Sequence, residues 1–403
     1  MCPQELWPDF PGSGHSWPMD IPPDEVEHVL VVLSDIEMGA GGSTDDFPQS
    51  EWLGRLLLAY NRGIYERVPL TLVFNGDTFD MLKTPMSDGT YPLDIDADIA
   101  IAKLERIMRA HRPFIDALRC FLDHEPAARR VLFLAGNHDQ ELLFPEIQKK
   151  LAGEIGCPEA ISFPGIRVRF GGVQIEHGSQ HDPMFVIDEA KLFVQRGGEA
   201  RLNLPWGTLS LLTAAMPFAK VFHQLDRIRP KDVLFHATPE FLKVLQSAYW
   251  QYWTRDYWTA RKEGYEALQH ITWDMTKQAV LHFQDTNYAA PRFEPAAWFA
   301  QHPDVKLLVM GHTHQAQLWT QNDRRYLQTG CFRNEAVYDE SGSAQLRPKV
   351  YAEVFLGRDE DVVRSRLVEL RGPAPEAPFV PASYDALGVE ARRLLRDYFA
   401  DVP

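Results

Sequence analysis

The chain has 403 residues, 45% of them hydrophobic and 24% charged, enough apolar material for one large domain or for two or three smaller ones. Its formal net charge of −15 argues against a general nucleic-acid coat, which gathers Lys and Arg against phosphates. It does not exclude a phosphorylated substrate held by bound cations. Cys2, Cys120, Cys157 and Cys331 are scattered without C-x-x-C spacing, so neither a zinc knuckle nor a disulfide framework is expected, and the cysteines read as reduced and cytoplasmic.

The first 25 residues are acidic and Pro-rich and lack the basic-then-apolar order of a signal peptide. β-rich runs then recur: "HVLVVLSD", "LTLVFNGD", "RVLFLAGNHD", "IRVRFGGVQIEHG", "VKLLVMGHTH" and "AQLWTQNDRRYLQTG". Helical spans near 50–67 and 99–122 separate the first three and set a β-α-β-α-β rhythm. Gly171-Gly172 and Asn322-Asp323 read as hairpin turns. "KVYAEVFLG" and "VVRSRLVEL" add late strands, so the predicted sheets are mixed.

Between about 183 and 295 the rhythm changes to aromatics and long apolar residues at helical spacing, which reads as a helical insertion. Its stretch "LPWGTLSLLTAAMPFAKVF" fits either a buried helix pair or a lipid-facing lid. The longest uncharged run, 202–219, is broken by Pro205, Gly207 and Pro217, so no spanning helix is predicted. After Arg371 a Pro-rich linker leads to a terminal helix. The chain thus divides into an extension (1–25), an α/β domain (26–372) interrupted by the insertion, and a linker with C-terminal helix (373–403).

Each major strand ends in residues of metal-ligand type: Asp35 and Glu37; Asp77 and Asp80; Asn137, His138 and Asp139; His177 and His181; His312 and His314. Open α/β sheets bind ligands beyond the carboxyl ends of their strands, where such side chains converge from distant parts of the sequence. Carboxylate oxygen and imidazole nitrogen suit Mn, Fe, Zn or Mg, and no thiolate competes.

The motifs "DIE", "GDTFD", "GNHD", His177 and "GHTH", in this order, resemble those of the calcineurin-like metallophosphoesterase superfamily. Four of the five match fully, and the first keeps Asp35 but has Glu37 where the family has histidine. The resemblance covers roughly 29–357. It implies a four-layer α/β sandwich of two mixed β-sheets flanked by helices, with the large helical insertion as a departure. It also implies two divalent metal ions, Mn²⁺ ahead of Mg²⁺, Fe²⁺ or Zn²⁺. Asp77 would bridge them; Asp35, Glu37 and His314 would complete one site, and Asn137, His177 and His312 the other. His138 would serve the leaving-group oxygen, with Asp139 as its orienting partner. Asp80 would accept from a ligand histidine or simply start a helix. Gly76, Gly136 and Gly311 would permit tight exits from their strands.

The implied activity is hydrolysis of a phosphodiester, phosphomonoester or pyrophosphate by a metal-bridging hydroxide, the two cations lying about 3.5–4 Å apart. Glu37 reaches about as far as the distal nitrogen of a histidine. It can therefore occupy the ligand position as a hard anionic donor, which favours Mn²⁺ or Mg²⁺; loss of that metal, or an inert relative, is the alternative. Among bacterial relatives, "SDIEMG", "HGSQHDP" and the Trp-rich insert loosely resemble the UDP-diacylglucosamine pyrophosphatase-like branch. A phosphorylated small-molecule or lipid-like substrate follows from that, with no bulk nucleic-acid binding and with peripheral membrane contact through the insert at the cytoplasmic face. His181 and Arg333 are candidate substrate contacts by motif position, as are Arg201, Arg227 and Arg229 by charge. The insert is expected to govern substrate choice rather than the chemical step. A nuclease of the same superfamily and a non-catalytic scaffold of the same fold remain rival readings.

Overall fold

The computed structural model describes residues 17–18, 20–216, 219–229, 247, 250–262, 293–372, 386–390, 392–393 and 396. Most of the N-terminal extension, the segment "ALQHITWDMTKQAVLHF" and the Pro-rich linker lie outside these residues. In chain order the core begins with β1 (His28–Leu33), α1 (Ser50–Ala59), β2 (Leu70–Asn75), α2 (Ala97–Ala110), α3 (Arg112–Leu122), β3 (Arg129–Leu134), α4 (Pro145–Ile155), β4 (Ile161–Gly165), β5 (Arg167–Phe170) and β6 (Val173–Glu176). The insertion follows with β7 (Phe193–Arg196), β8 (Glu199–Leu202), α5 (Trp206–Ser210), α6 (Ala219–Asp226), β9 (Ile228–Arg229) and α7 (Tyr257–Lys262). The chain returns through α8 (Pro295–Gln301), β10 (Leu307–Met310), β11 (Gln317–Gln321), β12 (Arg324–Gln328), β13 (Ala336–Tyr338), β14 (Ala344–Leu346), β15 (Lys349–Leu356) and β16 (Val362–Leu370).

Two mixed sheets dominate, ordered β16-β15-β1-β2-β3-β4 and β11-β12-β10-β6-β5. Strands β1 to β4 run parallel, β15 joins β1 antiparallel, and β16 pairs antiparallel with β15. In the second sheet β10 is parallel to both β12 and β6, with antiparallel strands at the two edges. The period of two explains why β1 reads as a continuous apolar run. Val29, Val31 and Leu33 pack with Phe114, Leu118 and Ile147 of the helices, while Leu30 and Val32 meet Ile175, Val309 and Leu327 of the second sheet. Strand β10 repeats the pattern: Leu307 and Val309 face inward, and Leu308 and Met310 pack on Trp298 and Phe299 of α8. Helix, sheet, sheet and helix thus form the four expected layers. Each fully buried side chain of this kind contributes about 1.5–3 kcal/mol.

Three local expectations are corrected. The helix expected over 99–122 is two helices, because Pro113 sits in the first turn of α3 and His111 adopts a non-helical ψ of 35° at the junction. The insertion is not purely helical: β7 and β8 form a hairpin closed at Gly197 and Gly198, both at positive φ. Cys120 is disulfide-bonded rather than reduced, whereas Cys157 and Cys331 are free. In the stretch that allowed a lipid-facing lid, Trp206, Leu209, Leu212 and Met216 are buried in the main core. No helix among the described residues is long and apolar enough to cross a membrane.

Candidate metal centre

The loops after β1, β2, β3, β6 and β10 meet at one end of the two sheets. Those after β1 and β2 travel together, with Asp35 N–H donating to Gly76 O and both Ile36 and Glu37 N–H donating to Asp77 O. The β10 loop is tied in by Gly311 N–H donating to His177 O at 2.7 Å. Asp35, Glu37, Asp77, His312 and His314 all have φ between 52° and 74°. Non-glycine residues rarely adopt this left-handed region, and here the fold holds five candidate ligands in it. Gly76 also needs its positive φ of 77°. Gly136 and Gly311 are required for a different reason from the one expected: a Cβ at Gly136 would stand 2.2 Å from Asp77 Oδ1, and one at Gly311 2.6 Å from Asp35 Oδ2. These glycines let the ligand carboxylates come close to backbone.

The candidate ligands form two adjoining groups. In one, His177 Nε2 lies 3.1 Å from both Asp77 Oδ2 and Asn137 Oδ1, and His312 belongs to the same cluster. In the other, His314 Nε2 lies 3.4 Å from Asp35 Oδ1 and 3.4 Å from Glu37 Oε1. Two donors on one ion, each about 2.1 Å from it, stand about 3.0–3.5 Å apart, a spacing that the pairs to His177 and His314 have. Donors that all lie within 4.8 Å of one another are Asp77, His177 and His312, then Glu37, Asp80 and His138, and His314 with Glu335 and the Cys331 thiol. The donor types, oxygen and imidazole nitrogen, fit a divalent first-row metal or Mg²⁺.

The outward nitrogens of the histidines support the same assignment. His177 Nδ1 bonds Asn75 O at 2.9 Å, His314 Nδ1 bonds Glu335 at 2.8 Å, and His312 Nε2 lies 3.2 Å from Asp182 Oδ2. Each ring thus has one nitrogen fixed from behind, the arrangement that orients metal-binding histidines. Burial disfavours the charged form of His177, yet Asp77 and Asp35 lift its pKa to about 9. His314 is likewise held above its usual range against burial, chiefly by Glu335. Both shifts reflect the carboxylates gathered around the two rings. A bound divalent ion would satisfy that charge and displace the protons.

His138 is not among the ligand groups around Asp77. Its Nδ1 bonds Asp80 Oδ1 at 3.0 Å and lies 3.8 Å from Glu37 Oε2, while its backbone N–H donates to Asp77 Oδ1 at 2.7 Å. Burial opposes its charge, but Glu37, Asp77 and Asp80 outweigh that and raise its pKa to about 9. The carboxylate bonded to the His138 ring is thus Asp80 and not Asp139, the partner expected from the sequence. Asp139 instead accepts backbone N–H bonds from Gly136, Asp77, Thr78 and Phe79 at 2.7–3.3 Å and clamps the β2 and β3 loops together. Burial and the neighbouring Asp77 raise its pKa to about 7.

Both expected substrate contacts are engaged elsewhere. Arg333 is 2% exposed and bonds Glu37 and Asp226. His181 bonds Glu176 at 2.6 Å beside the ring of Phe293. Arg201, Arg227 and Arg229 likewise have carboxylate partners in Asp96, Asp46 and Glu335. Three participants escaped the sequence reading: Asp182, Glu335 and Lys83. Asp182 alone lay inside a quoted motif, "HGSQHDP". Nothing local marked the other two.

No protein-family model matches the chain, and no curated protein is similar to it by sequence. Among solved structures it is similar to a predicted phosphoesterase from Streptococcus pneumoniae, at 12% identity, covering 85% of this chain and 97% of that one with a TM-score of 0.26. It is similar to a phosphopantetheinyl hydrolase from Mycobacterium tuberculosis, at 12% identity over 76% of this chain and 91% of that one, TM-score 0.27. A 5'-nucleotidase precursor from Thermus thermophilus matches at 12% identity over 93% of this chain and 58% of that one, TM-score 0.25. Scores this low carry no argument, so the fold is read from the strand order and the site from its own geometry.

Proposed function

We propose that the chain is a metal-dependent phosphoester hydrolase of the calcineurin-like type, acting on a phosphodiester, phosphomonoester or pyrophosphate. The observation that carries this reading is the set of three histidines, each fixed from behind while its ring joins buried oxygen donors. Asp77, Asn137, His177 and His312 would hold one divalent ion, and Asp35, Glu37, Asp77 and His314 a second; Mn²⁺ is favoured by the oxygen-rich donor set. Such ions lower the pKa of a bound water and neutralise phosphoryl oxygens.

The chain's own contribution is positional. Asp80 presents the His138 ring through its hydrogen bond to Nδ1. The ring can then give a proton to the departing oxygen, in the way of a general acid. Asp139 keeps the β2 and β3 loops at a fixed separation, and Asp182 and Glu335 stop the ligand rings from turning. Phe185 stands beside the pocket, its ring centroid 5.8 Å from that of His312. A phosphorylated small molecule or lipid-like substrate, rather than bulk nucleic acid, fits a chain of net charge −15.

The test is hydrolysis of bis-p-nitrophenyl phosphate before and after exhaustive chelation, with Mn²⁺, Mg²⁺, Fe²⁺ or Zn²⁺ restored one at a time. Activity lost on chelation and regained with one or more metals is expected. Full activity with metal absent by elemental analysis would sink the reading. No turnover with any metal in a folded protein would favour the scaffold, and salt-dependent DNA binding the nuclease.

A further inference from the structure

The two oxygens of Glu37, a fully buried side chain, have different surroundings. Oε2 accepts from the Lys83 ammonium at 2.8 Å and from the Arg333 guanidinium at 3.0 Å. Oε1 accepts from Arg333 at 3.1 Å and lies 3.4 Å from His314 Nε2, the nitrogen that also faces Asp35. An ionised carboxylate has about four acceptor directions. Three charged hydrogen bonds therefore leave one direction, on the oxygen that faces His314.

The two cations are fixed in turn. Lys83 lies 2.5 Å from Asp46 and 3.0 Å from Asp80, and Arg333 bonds Asp226 at 2.8 Å. Lys83, Arg333, Glu37, Asp46 and Asp80 are all 3% exposed or less. A buried carboxylate without a counter-charge is strongly unfavourable, and so is a buried ammonium. Neither cation is free to bind substrate, because every strong partner it has is a carboxylate of this cluster.

We propose that Lys83 and Arg333 are positioning residues of the metal centre: they hold Glu37 as a one-oxygen ligand and cancel the charge that a neutral ligand would not bring. The inference rests on the functional reading above. It makes Glu37 and Lys83 interdependent. Removing the ammonium leaves Glu37, Asp46 and Asp80 crowded without it, and the Glu37 oxygen is no longer held towards His314. Replacing Glu37 by histidine removes the need for the ammonium, so the two changes should rescue one another.

The experiment uses the full chain, Lys83→Met, Glu37→His and the double variant. It measures bound Mn²⁺ by titration and elemental analysis, and the melting midpoint of each metal-free protein. Two Mn²⁺ per chain are expected in the wild type. Lys83→Met should keep one ion and bind the second at least tenfold more weakly. Adding Glu37→His to Lys83→Met should restore the second ion and raise the metal-free midpoint above that of either single variant, which loss of mere structural packing would not do. Unchanged affinity for both ions in Lys83→Met, or a double variant that binds no better than Lys83→Met, overturns the proposal. If Lys83→Met does not fold, a folded double variant with two ions supports it and an unfolded one overturns it. A wild type with one ion overturns this proposal but leaves the phosphoesterase reading on Asp77, Asn137, His177 and His312; a wild type with none overturns that reading.

Discussion

Asp80 stands three residues from both Asp77 and Lys83 but 58 residues from His138, so its contact with that ring crosses from one loop to another. Asp80 bonds His138 Nδ1 at 3.0 Å and lies 3.0 Å from Lys83, so one carboxylate holds both the proposed acid and the ammonium behind Glu37. His138→Ala is expected to leave metal content nearly intact and slow turnover by roughly 10²–10⁴-fold, the usual range for a positioned acid. Collapse of metal content together with activity would make His138 a ligand instead. Asp80→Asn should lower kcat while the Asp77 position keeps its ion, because the lost contact is to the acid and not to that shell. The motifs made most of these residues legible, since "GNHD" sets a candidate ligand beside the candidate acid and "GHTH" sets two candidate ligands two residues apart. The pairing of His138 with Asp80 was not legible, because it is decided by how two loops approach after folding. Lys83 and Glu335 were hidden for the same reason: their partners lie 46 residues away in Glu37 and 21 away in His314.

The strands were the most readable elements, because being packed between helices and a second sheet makes β1 and β2 apolar on both faces. Hairpin turns were legible at Gly171-Gly172 and Asn322, where φ is 55°, but not at Gly197-Gly198. That turn was absorbed into the helical reading of the insert, although paired glycines between alternating residues are a turn signal. One element-level prediction concerns the β1–β2 pair. His28 opens β1, its Nε2 2.9 Å from Thr71 Oγ1 on β2. Burial, then the charge of Arg130, lowers its pKa from 6.5 to about 4. Between those values the unfolded chain takes up a proton that the folded chain refuses, so stability falls as pH drops through the window. His28→Gln should therefore lose less stability than wild type between pH 7 and pH 4.5. Urea denaturation midpoints at the two pH values measure this, and comparison of the two proteins cancels the acid titration that they share. Parallel declines would show that His28 is not held neutral.

Over the whole molecule, the insertion sends charged side chains to the candidate metal centre. From the sequence, replacing about 185–292 by a linker should spare small artificial diesters. The structure argues otherwise, because α6 and β9 send charged residues into the centre. Asp226 bonds Arg333 at 2.8 Å, and Arg227, 5% exposed, bonds Asp46 at 2.7 Å and Asp45 O at 2.6 Å. Arg229 reaches Glu335 at 2.8 Å, the residue that fixes His314. Strand β9 also pairs with β13, just after Arg333 and Glu335 in the chain. Breaking one partner of a buried pair costs about 3–5 kcal/mol, so the linker variant is expected to lose the ion at Asp35, Glu37 and His314 as well as activity on every substrate. Arg227→Ala isolates the effect, since it removes one insert cation from Asp46 and leaves the backbone of the insert in place. It should weaken that ion by at least about tenfold, the equivalent of about 1.4 kcal/mol, with the ion at His177 and His312 retained. Elemental analysis and Mn²⁺ titration decide the matter. Two ions bound with wild-type affinity in Arg227→Ala would show that the insert only covers the centre, and the linker variant would then keep its activity on small diesters.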